Sequence, residues 1–289
     1  FAVLALLVAA VPFLLSPLND CVPIPELASR KLGALEPNSL LSEAEHLFRG
    51  DLIGPESLVV DSSGSIITGL ADGRIVKIYE READGKLTYT VLARTGIDDP
   101  KCGKSIEFED ECGRPLGLEL INHETTLIVL DSKRGVLSLD MASKRLTTLA
   151  THSDDGKKIT LPNAVVESSN GKSLYITDTS LVHRRNRIFW AAMSGAKTGR
   201  LLAYHFANRS VTVIADRLFM PNGLAREHQS SCVLVAMTMI GEVKRYCPEG
   251  GEGASGSSTF ASNLPGTLDN IRPYIDPSTG AKAYAVGVG

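Results

Sequence analysis

The sequence lacks an excess of positive charge. It has 30 Lys and Arg residues against 33 Asp and Glu residues, which gives a formal net charge of -3 and an isoelectric point near 6.1. Proteins that bind nucleic acid draw much of their affinity from cationic side chains that neutralise phosphates. We therefore expect no nucleic-acid partner.

The sequence also lacks a G-x-S-x-G segment, the strand-to-helix turn that presents the nucleophile of an α/β-hydrolase. A serine hydrolase is therefore the weaker interpretation of any ester chemistry. The hydrophobic content of 43% and charged content of 22% are nevertheless typical of a globular protein with a large core.

Charge is absent from the first 15 residues, FAVLALLVAAVPFLL, and the apolar run continues to Leu18. About 20 apolar residues span a bilayer. We predict that residues 1–18 are the transmembrane signal anchor of a single-pass type II protein, with the rest on the lumenal or extracellular side. A cleaved signal peptide of a secreted protein is the alternative. Because residue 1 is Phe and the last residues resemble the inside of a strand, we expect both ends to be truncated.

Cysteines are few, five in total. Cys102 and Cys112 flank a polar loop that has no apolar core of its own, and we predict a disulfide that staples it. Cys232 and Cys247 lie on two arms of a predicted hairpin, where pairing and burial as free thiols remain equally open. Cys21 is free or intermolecular. The single N-x-S/T sequon predicts a glycoprotein modified at Asn208, in a surface turn.

A repeat organises the rest of the chain. Five segments begin with a proline, continue into an alternating apolar strand, and then turn into a second strand. The prolines are Pro55, Pro115, Pro162, Pro221 and Pro265, at steps of 60, 47, 59 and 44 residues. Such steps suit four strands with their turns. Even spacing without amphipathic helices predicts an all-β fold, a β-propeller over residues 51–289 that is incomplete in its fifth blade, and residues 19–50 are predicted as a linker.

The repeat also predicts a site. The innermost strands of a propeller begin at one face of a central channel, so the residues that follow the prolines should converge. Those residues are Glu56, Leu116, Asn163, Asn222 and, delayed in the fifth unit, Asp269 followed by Asn270.

Oxygen donors without His or Cys suit a hard cation, and Ca²⁺ accepts irregular sets of six to eight oxygens. We therefore predict calcium ligands at Glu56, Asn163, Asn222 and Asp269, with Asn270 as a candidate fifth. Each residue alone has a structural explanation, because an Asn after Pro can bond its own backbone and Glu56 can be solvated. Their shared register favours the cation.

The motifs carry a resemblance as well. GPES, ADGRIVKI, CGRPLGL, LYITDTS, MPNGL and LPGTLDNIR resemble, in this order, the strictosidine synthase-like family from about residue 20 to the end. The resemblance implies a six-bladed propeller behind a type II membrane anchor, an esterase-like activity toward aryl esters, and a disulfide between Cys102 and Cys112. In the wider group of calcium-dependent propeller hydrolases that the chain resembles, including paraoxonases and regucalcin, a Glu-Asn-Asn-Asp quartet holds the catalytic calcium. By motif, the quartet falls on the four predicted ligands.

The chain departs from these families at three positions. Leu116 stands where paraoxonases have a His that shuttles protons, and Ala164 stands where relatives usually have Asp beside a second calcium. Leu268 replaces a usual Pro. The solvated loop residue His183 is not expected to replace the missing His.

We expect a membrane-anchored calcium-dependent hydrolase of small esters or lactones, in which calcium polarises the carbonyl and Asp269 or a bound water acts as nucleophile or base. One alternative is a non-catalytic, membrane-tethered propeller with structural calcium, whose rim binds a protein or lipid partner. Another is the amine–aldehyde condensation of the plant synthases, which use a Glu rather than calcium. No residue of this chain shows that Glu.

Overall fold

The computed structural model describes residues 39, 42–81, 83–249 and 256–289, and its regular structure is almost entirely β. Four sheets each contain four antiparallel strands that pair in chain order, and a fifth sheet contains two strands. Every sheet is therefore a meander of hairpins, as the repeat predicts.

The strand bounds follow the proline-led repeat. The first sheet consists of β1 Leu58–Val60, β2 Ile66–Gly69, β3 Arg74–Glu80 and β4 Leu87–Arg94. The second consists of β5 Pro115–Ile121, β6 Thr126–Asp131, β7 Gly135–Asp140 and β8 Leu146–Ala150. The third consists of β9 Pro162–Glu167, β10 Ser173–Asp178, β11 Gly199–His205 and β12 Val211–Leu218. The fourth consists of β13 Pro221–Arg226, β14 Val233–Met237, β15 Glu242–Tyr246 and β16 Ser257–Ala261, and β17 Leu268–Ile275 pairs with β18 Lys282–Val288.

Apolar cores lie between successive sheets. Ile67 and Ile75 of the first sheet pack with Leu118 and Val129 of the second, and similar buried clusters join the second sheet to the third, the third to the fourth, and the fourth to the last. The innermost strands β5, β9, β13 and β17 contact one another in order, and β1 contacts β5. Sheets that pack face to face around a shared set of inner strands form a β-propeller. The blade number of a closed ring stays a prediction.

Tight turns make the hairpins possible. Gly73 adopts a φ of +82° in the turn between β2 and β3, and a Cβ at this residue would overlap the backbone carbonyl of Cys112. Only Gly combines this backbone conformation with so close an approach. The turn therefore fixes the first blade against the loop that follows it.

That loop contains a disulfide between Cys102 and Cys112, as the sequence predicts, with a Cα–Cα distance of 5.4 Å. Between the two cysteines lie a 3₁₀ helix, Ile106–Phe108, and the short helix α1, Glu109–Cys112. The second pair, which the sequence leaves open, is also bonded, Cys232 to Cys247. The pairing of β14 with β15 brings together Cys232, just before β14, and Cys247, just after β15. Cys21 lies outside the described residues.

The predicted anchor at residues 1–18 and most of the linker also lie outside the described residues. Within the described residues, no helix has both the length and the apolar character to cross a bilayer. The described part of segment 38–50 consists of turns rather than a helix, and its side chains are mostly exposed.

Candidate functional site

A local irregularity at the start of the inner strands sets the position of the site. The pairing register shifts between Pro115 and Leu118, and again between Pro221 and Leu224. Equivalent shifts occur in the third sheet after Pro162 and in the fifth between Leu268 and Ile271. A β-bulge re-aims the side chains it contains. The predicted site positions 116, 163, 222 and 269 all fall inside these bulges.

The re-aimed side chains meet in one cavity of about 270 Å³. Its lining contains all four predicted ligands: Glu56, Asn163, Asn222 and Asp269. Apolar side chains complete the wall, and they are Leu116, Leu161, Ile188, Met220 and Leu268. The cavity thus has an oxygen-rich part and an apolar part, as small-molecule sites commonly do.

Besides the Thr238 hydroxyl, three oxygens at this cavity have no hydrogen-bond partner. They are Oε2 of Glu56, Oδ1 of Asn163 and Oδ1 of Asn222, and each is buried from solvent. A buried oxygen left unpaired costs about 1–3 kcal/mol, so native structures rarely contain one without an ion, water or function to explain it. Three such atoms around one cavity indicate a bound ligand that all three oxygens contact.

The chemistry of these donors restricts that ligand. The described residues contain no group of three or more His, Cys, Asp or Glu side chains that could hold a metal. The set here has only two carboxylates, Glu56 and Asp269, together with two amide oxygens. Such a set fits a hard cation that takes neutral oxygens and water, and it does not fit zinc or copper.

The surroundings of Glu56 raise the pKa of its carboxyl. Burial raises the pKa of the Glu56 carboxyl, and the nearby Asp269 carboxylate raises it further, while Arg114 and Arg185 act in the opposite direction. Two neighbouring carboxylates repel unless a cation or a proton separates them. A bound cation would therefore reduce this repulsion and would give the unpaired oxygens a partner.

Asn270 takes a different part from the four ligand candidates. Its Nδ2 donates a hydrogen bond to Oε1 of Glu56 at 3.3 Å. This bond orients the Glu56 carboxylate and leaves its other oxygen directed at the cavity. Asp269, in contrast, is an exposed residue that also lines the cavity.

Sequence reasoning missed two threonines that hold the site together. The buried Thr177 hydroxyl donates to the backbone carbonyl of Asn222 at 2.7 Å, and Thr179 donates to the carbonyl of Pro221 at 2.8 Å. The bonds run from Thr177 of β10, and from Thr179 just after this strand, to the start of β13 in the next blade. The alternating Thr residues in LYITDTS could have indicated a polar face of the strand. The sequence does not indicate which groups these hydroxyls bond.

Glycines allow the inner strands to approach closely. A Cβ at Gly117 would overlap the carbonyl oxygen of Asn163, and one at Gly223 would overlap the backbone between Asp269 and Ile271. The Gly of the Pro-x-Gly motif is therefore a packing requirement. It brings neighbouring site residues within reach of one ligand.

A charged cluster lies beside the cavity and was also missed. Glu109 of α1 is buried between Arg114 and Arg185, at 3.7 Å and 3.8 Å from their Nε atoms. Burial raises the pKa of the Glu109 carboxyl, and the two guanidinium groups oppose that rise. Arg185 also lines the cavity, so this cluster places a cation at its wall.

The remaining predicted residues are not part of the ligand set. Leu116 is only 2% exposed and fills part of the apolar wall, while His183 is half-buried in the β10–β11 connection. Burial and Arg187 lower the pKa of the His183 imidazole. Asn208 is exposed in the turn between β11 and β12, where its glycosylation remains a prediction.

Family models match two parts of the chain. Residues 163–250 match the strictosidine synthase model, and residues 33–78 match the N-terminal model of strictosidine synthase-like proteins. Among solved structures, a chain of a nidogen/laminin complex superimposes with a TM-score of 0.54, covering 81% of this chain and 76% of its own. At 15% identity, this likeness shows the fold alone.

Several curated proteins are similar along most of the chain. The adipocyte plasma membrane-associated proteins of Rattus norvegicus and Salmo salar are 35% and 36% identical over 83% of this chain, which covers 61% and 56% of their lengths. This chain thus spans less than two thirds of those animal relatives. The protein strictosidine synthase-like 13 of Arabidopsis thaliana is 32% identical over 287 residues, 94% of this chain and 70% of the relative. The chain belongs to the strictosidine synthase-like family.

Proposed function

We propose that this propeller binds Ca²⁺ in the cavity formed by Glu56, Asn163, Asn222 and Asp269, and that it hydrolyses small esters or lactones there. The observation that carries the proposal is the convergence of three buried, unpaired oxygens on one cavity. Calcium accepts carboxylate and amide oxygens at 2.3–2.6 Å and completes its shell with water. It is therefore the cation that this donor set suits best.

When bound, the cation would supply Lewis-acid polarisation of the substrate carbonyl. The chain's own residues would do the rest. The apolar wall, which includes Leu116, Ile188 and Met220, would receive the acyl or aryl part of the substrate and exclude water from it. The hydrogen bond from Asn270 would keep the Glu56 carboxylate in one orientation throughout.

Asp269 is the residue best placed to accept a proton from an attacking water. It is the exposed carboxylate among the residues that line the cavity, whereas Oε2 of Glu56 is buried. A general base must lie within hydrogen-bond reach of the proton that it removes. Arg185, the cation in the cavity wall, would stabilise negative charge that develops on the substrate.

The first test measures calcium binding. Unfolding of the whole chain is followed with calcium and with a chelator, for the native sequence and for Glu56→Gln. Calcium at one hundred times its dissociation constant should stabilise the native chain by about 2.7 kcal/mol, and Glu56→Gln should remove most of that gain. The matched control is Glu119→Gln, which replaces a carboxylate at the opposite end of the channel and should keep the gain.

The second test measures turnover of an aryl ester by the same proteins. Chelation should abolish it, and Asp269→Ala should lower kcat by about 10²-fold or more, the size expected of a lost general base. Turnover that survives the chelator, or that survives both Glu56→Gln and Asp269→Ala, would show the hydrolase proposal to be wrong.

A second candidate function is a non-catalytic propeller whose cation is structural. The observation that favours it is Leu116, a buried apolar side chain at a site position where a proton-transferring residue would be expected of a lactonase. Under this proposal, calcium would still stabilise the fold, and no ester would be turned over. The two tests above separate the candidates, since the first would succeed and the second would fail.

The location that we propose is membrane-associated or secreted. Relatives at 34–36% identity carry names that describe them as plasma membrane-associated. The two disulfides fit the same proposal, because such bonds persist in oxidising compartments. Type II orientation through residues 1–18 remains a prediction.

A further inference from the structure

The connection between β10 and β11 exposes large apolar side chains and buries small ones. It carries the helix α2, Ile188–Ser194, which buries Ala191 and Ser194 and exposes its largest side chains. Phe189 is 75% exposed, Met193 61% and Trp190 40%. A helix that serves only a soluble fold turns its large apolar residues inward. Here the small residues face the protein and the aromatic residues face outward.

The connection contains a fourth exposed apolar side chain. Val182, in the same connection, is 64% exposed. We call the set Val182, Phe189, Trp190 and Met193 the outer patch. Single exposed apolar residues need no explanation, but several on one short segment commonly mark an interaction surface.

The outer patch is flanked by cations. Arg184, Arg187 and Lys197 are exposed in the same connection. Arg184 pairs with Asp110 at 3.0 Å, whereas Arg187 and Lys197 form no ion pair with any carboxylate in the described ranges. Lys197 instead lies over the ring of Phe219 at 4.6 Å from its centre. Aromatic and aliphatic side chains among unpaired cations are the chemistry that suits an anionic lipid surface.

The same chemistry disfavours a second copy of the chain. Two outer patches in contact would bring their flanking cations together, where like charges repel. A seven-residue helix is also small beside the roughly 800 Å² per partner that a stable interface buries. A bilayer requires no matching shape, and it accepts a Trp at the depth of the headgroups.

We propose that the outer patch docks on a lipid surface that carries anionic headgroups, with Phe189, Trp190 and Met193 entering the headgroup region. Arg185 and Ile188, which lie beside the patch on the same connection, line the cavity. Docking therefore brings the mouth of the cavity close to the membrane. The proposal does not depend on calcium or on ester hydrolysis.

The chain contains a built-in probe, because Trp190 is its only tryptophan. The whole chain is mixed with phosphatidylcholine–phosphatidylserine vesicles, with and without brominated acyl chains, and Trp190 emission is recorded. We expect a blue shift, quenching by the brominated lipid and protection from aqueous iodide. Vesicles of phosphatidylcholine alone should give a clearly weaker response. Since the apolar residues 1–18 could attach the chain by themselves, emission at Trp190 separates docking from mere attachment.

Variants then test the patch and its charge. Phe189→Asp with Met193→Asp should weaken the quenching at least fivefold, and Arg187→Glu with Lys197→Glu should remove the preference for anionic vesicles. Val60→Asp is the matched control: Val60 is 63% exposed, lies in β1 beyond the cavity, and should leave the response unchanged.

Three results would overturn the proposal. Trp190 could remain open to iodide although the chain sediments with vesicles, which would show attachment through another segment. Its emission could shift without vesicles as protein concentration rises, which would identify a second copy as the occupant. The double Asp variant could also dock as well as the native chain.

Discussion

The second and third blades begin their inner strands in the same way, yet they place different chemistry there. In the second blade, Asp131 accepts a hydrogen bond at 2.8 Å from the backbone N–H of Arg114, directly before Pro115. In the third blade, Asp178 accepts one at 2.8 Å from the N–H of Leu161, directly before Pro162. Both aspartates are fully buried.

The two aspartates differ in their remaining partners. Asp131 accepts further bonds from the backbone N–H groups of Lys133 and Arg134, so its charge is held by the turn that follows it. Asp178 pairs at 2.7 Å with Arg200, which is itself 1% exposed. These aspartate hydrogen bonds hold the start of the strand that carries Leu116 in one blade and Asn163 in the other. The aspartate hydrogen bond thus recurs in both blades, while the residue at the site position changes from Leu to Asn. The aspartates therefore support the fold rather than the chemistry of the site.

The largest expected effect comes from breaking the charged pair of the third blade. Asp178→Asn leaves the Arg200 guanidinium buried beside a neutral group, and removal of one partner from a buried pair costs about 3–5 kcal/mol. Denaturant unfolding of the variant and the native chain measures the difference.

A double variant sharpens this result. Asp178→Asn combined with Arg200→Met should be less destabilised than the single variant, because no uncompensated charge remains. Arg81→Ala serves as a surface control, since its partner Asp84 lies in an exposed turn. A double variant less stable than both single variants would contradict the assignment of the loss to an unpaired charge.

A smaller effect is expected in the second blade. Asp131→Asn turns an amide N–H₂ toward the N–H of Arg114 or toward the turn, and one buried donor loses its acceptor. The expected loss is about 1–3 kcal/mol in the free energy of unfolding. A loss equal to that of Asp178→Asn, under the same unfolding conditions, would show that Arg200 adds nothing to the third blade.

The comparison can also be broken at the site itself. Asn163→Leu gives the third blade the residue type of the second and removes one of the three unpaired oxygens. We expect at least about 10-fold weaker calcium binding, equivalent to about 1.4 kcal/mol, with no loss of stability in chelator. Calorimetric titration with calcium gives the measurement. Asn208→Leu makes the same change in an exposed turn, and unchanged affinity in Asn163→Leu would remove this residue from the ligand set.

The smallest expected effect concerns pH in the connection that leads into the third blade. The Ser153 hydroxyl donates to Asp155 at 2.6 Å, and this bond, together with Lys157, lowers the pKa of the Asp155 carboxyl from 3.8 to about 2. A lowered pKa contributes stability that is present above pH 3.8 and is lost as the pH falls through about 2. The stability difference between the native chain and Asp155→Asn should therefore shrink below pH 4 in acid-unfolding series. A stability difference that grows as the pH falls would contradict the lowered pKa of Asp155.

The regular part of the molecule could be predicted because its signals are local and repeated. Alternating strands, Gly turns and the proline at each inner strand gave the four-stranded meanders and, through them, the residues that share the cavity. The loop disulfide between Cys102 and Cys112 was predicted from its short polar loop and is confirmed. The coarse fold, a β-propeller, is confirmed as well.

The missed features depend on partners far apart in the chain. Arg200 and Asp178 are 22 residues apart, and nothing in the sequence marks this arginine as buried rather than exposed. The bonds from Thr177 and Thr179 to the next blade, and the outward-facing aromatic residues of α2, depend on how blades and connections pack. Packing of this kind is decided by tertiary structure rather than by local propensity.

The threonine bonds between blades have a consequence for how binding arises. Asn222 reaches its position because hydroxyl groups of the preceding blade grip the strand that carries it. An excised blade would bring only one donor oxygen, and it would lack the neighbouring hydroxyl groups that position that oxygen. Affinity for an ion should accordingly appear late in folding and in a single step, once the neighbouring blades have packed together.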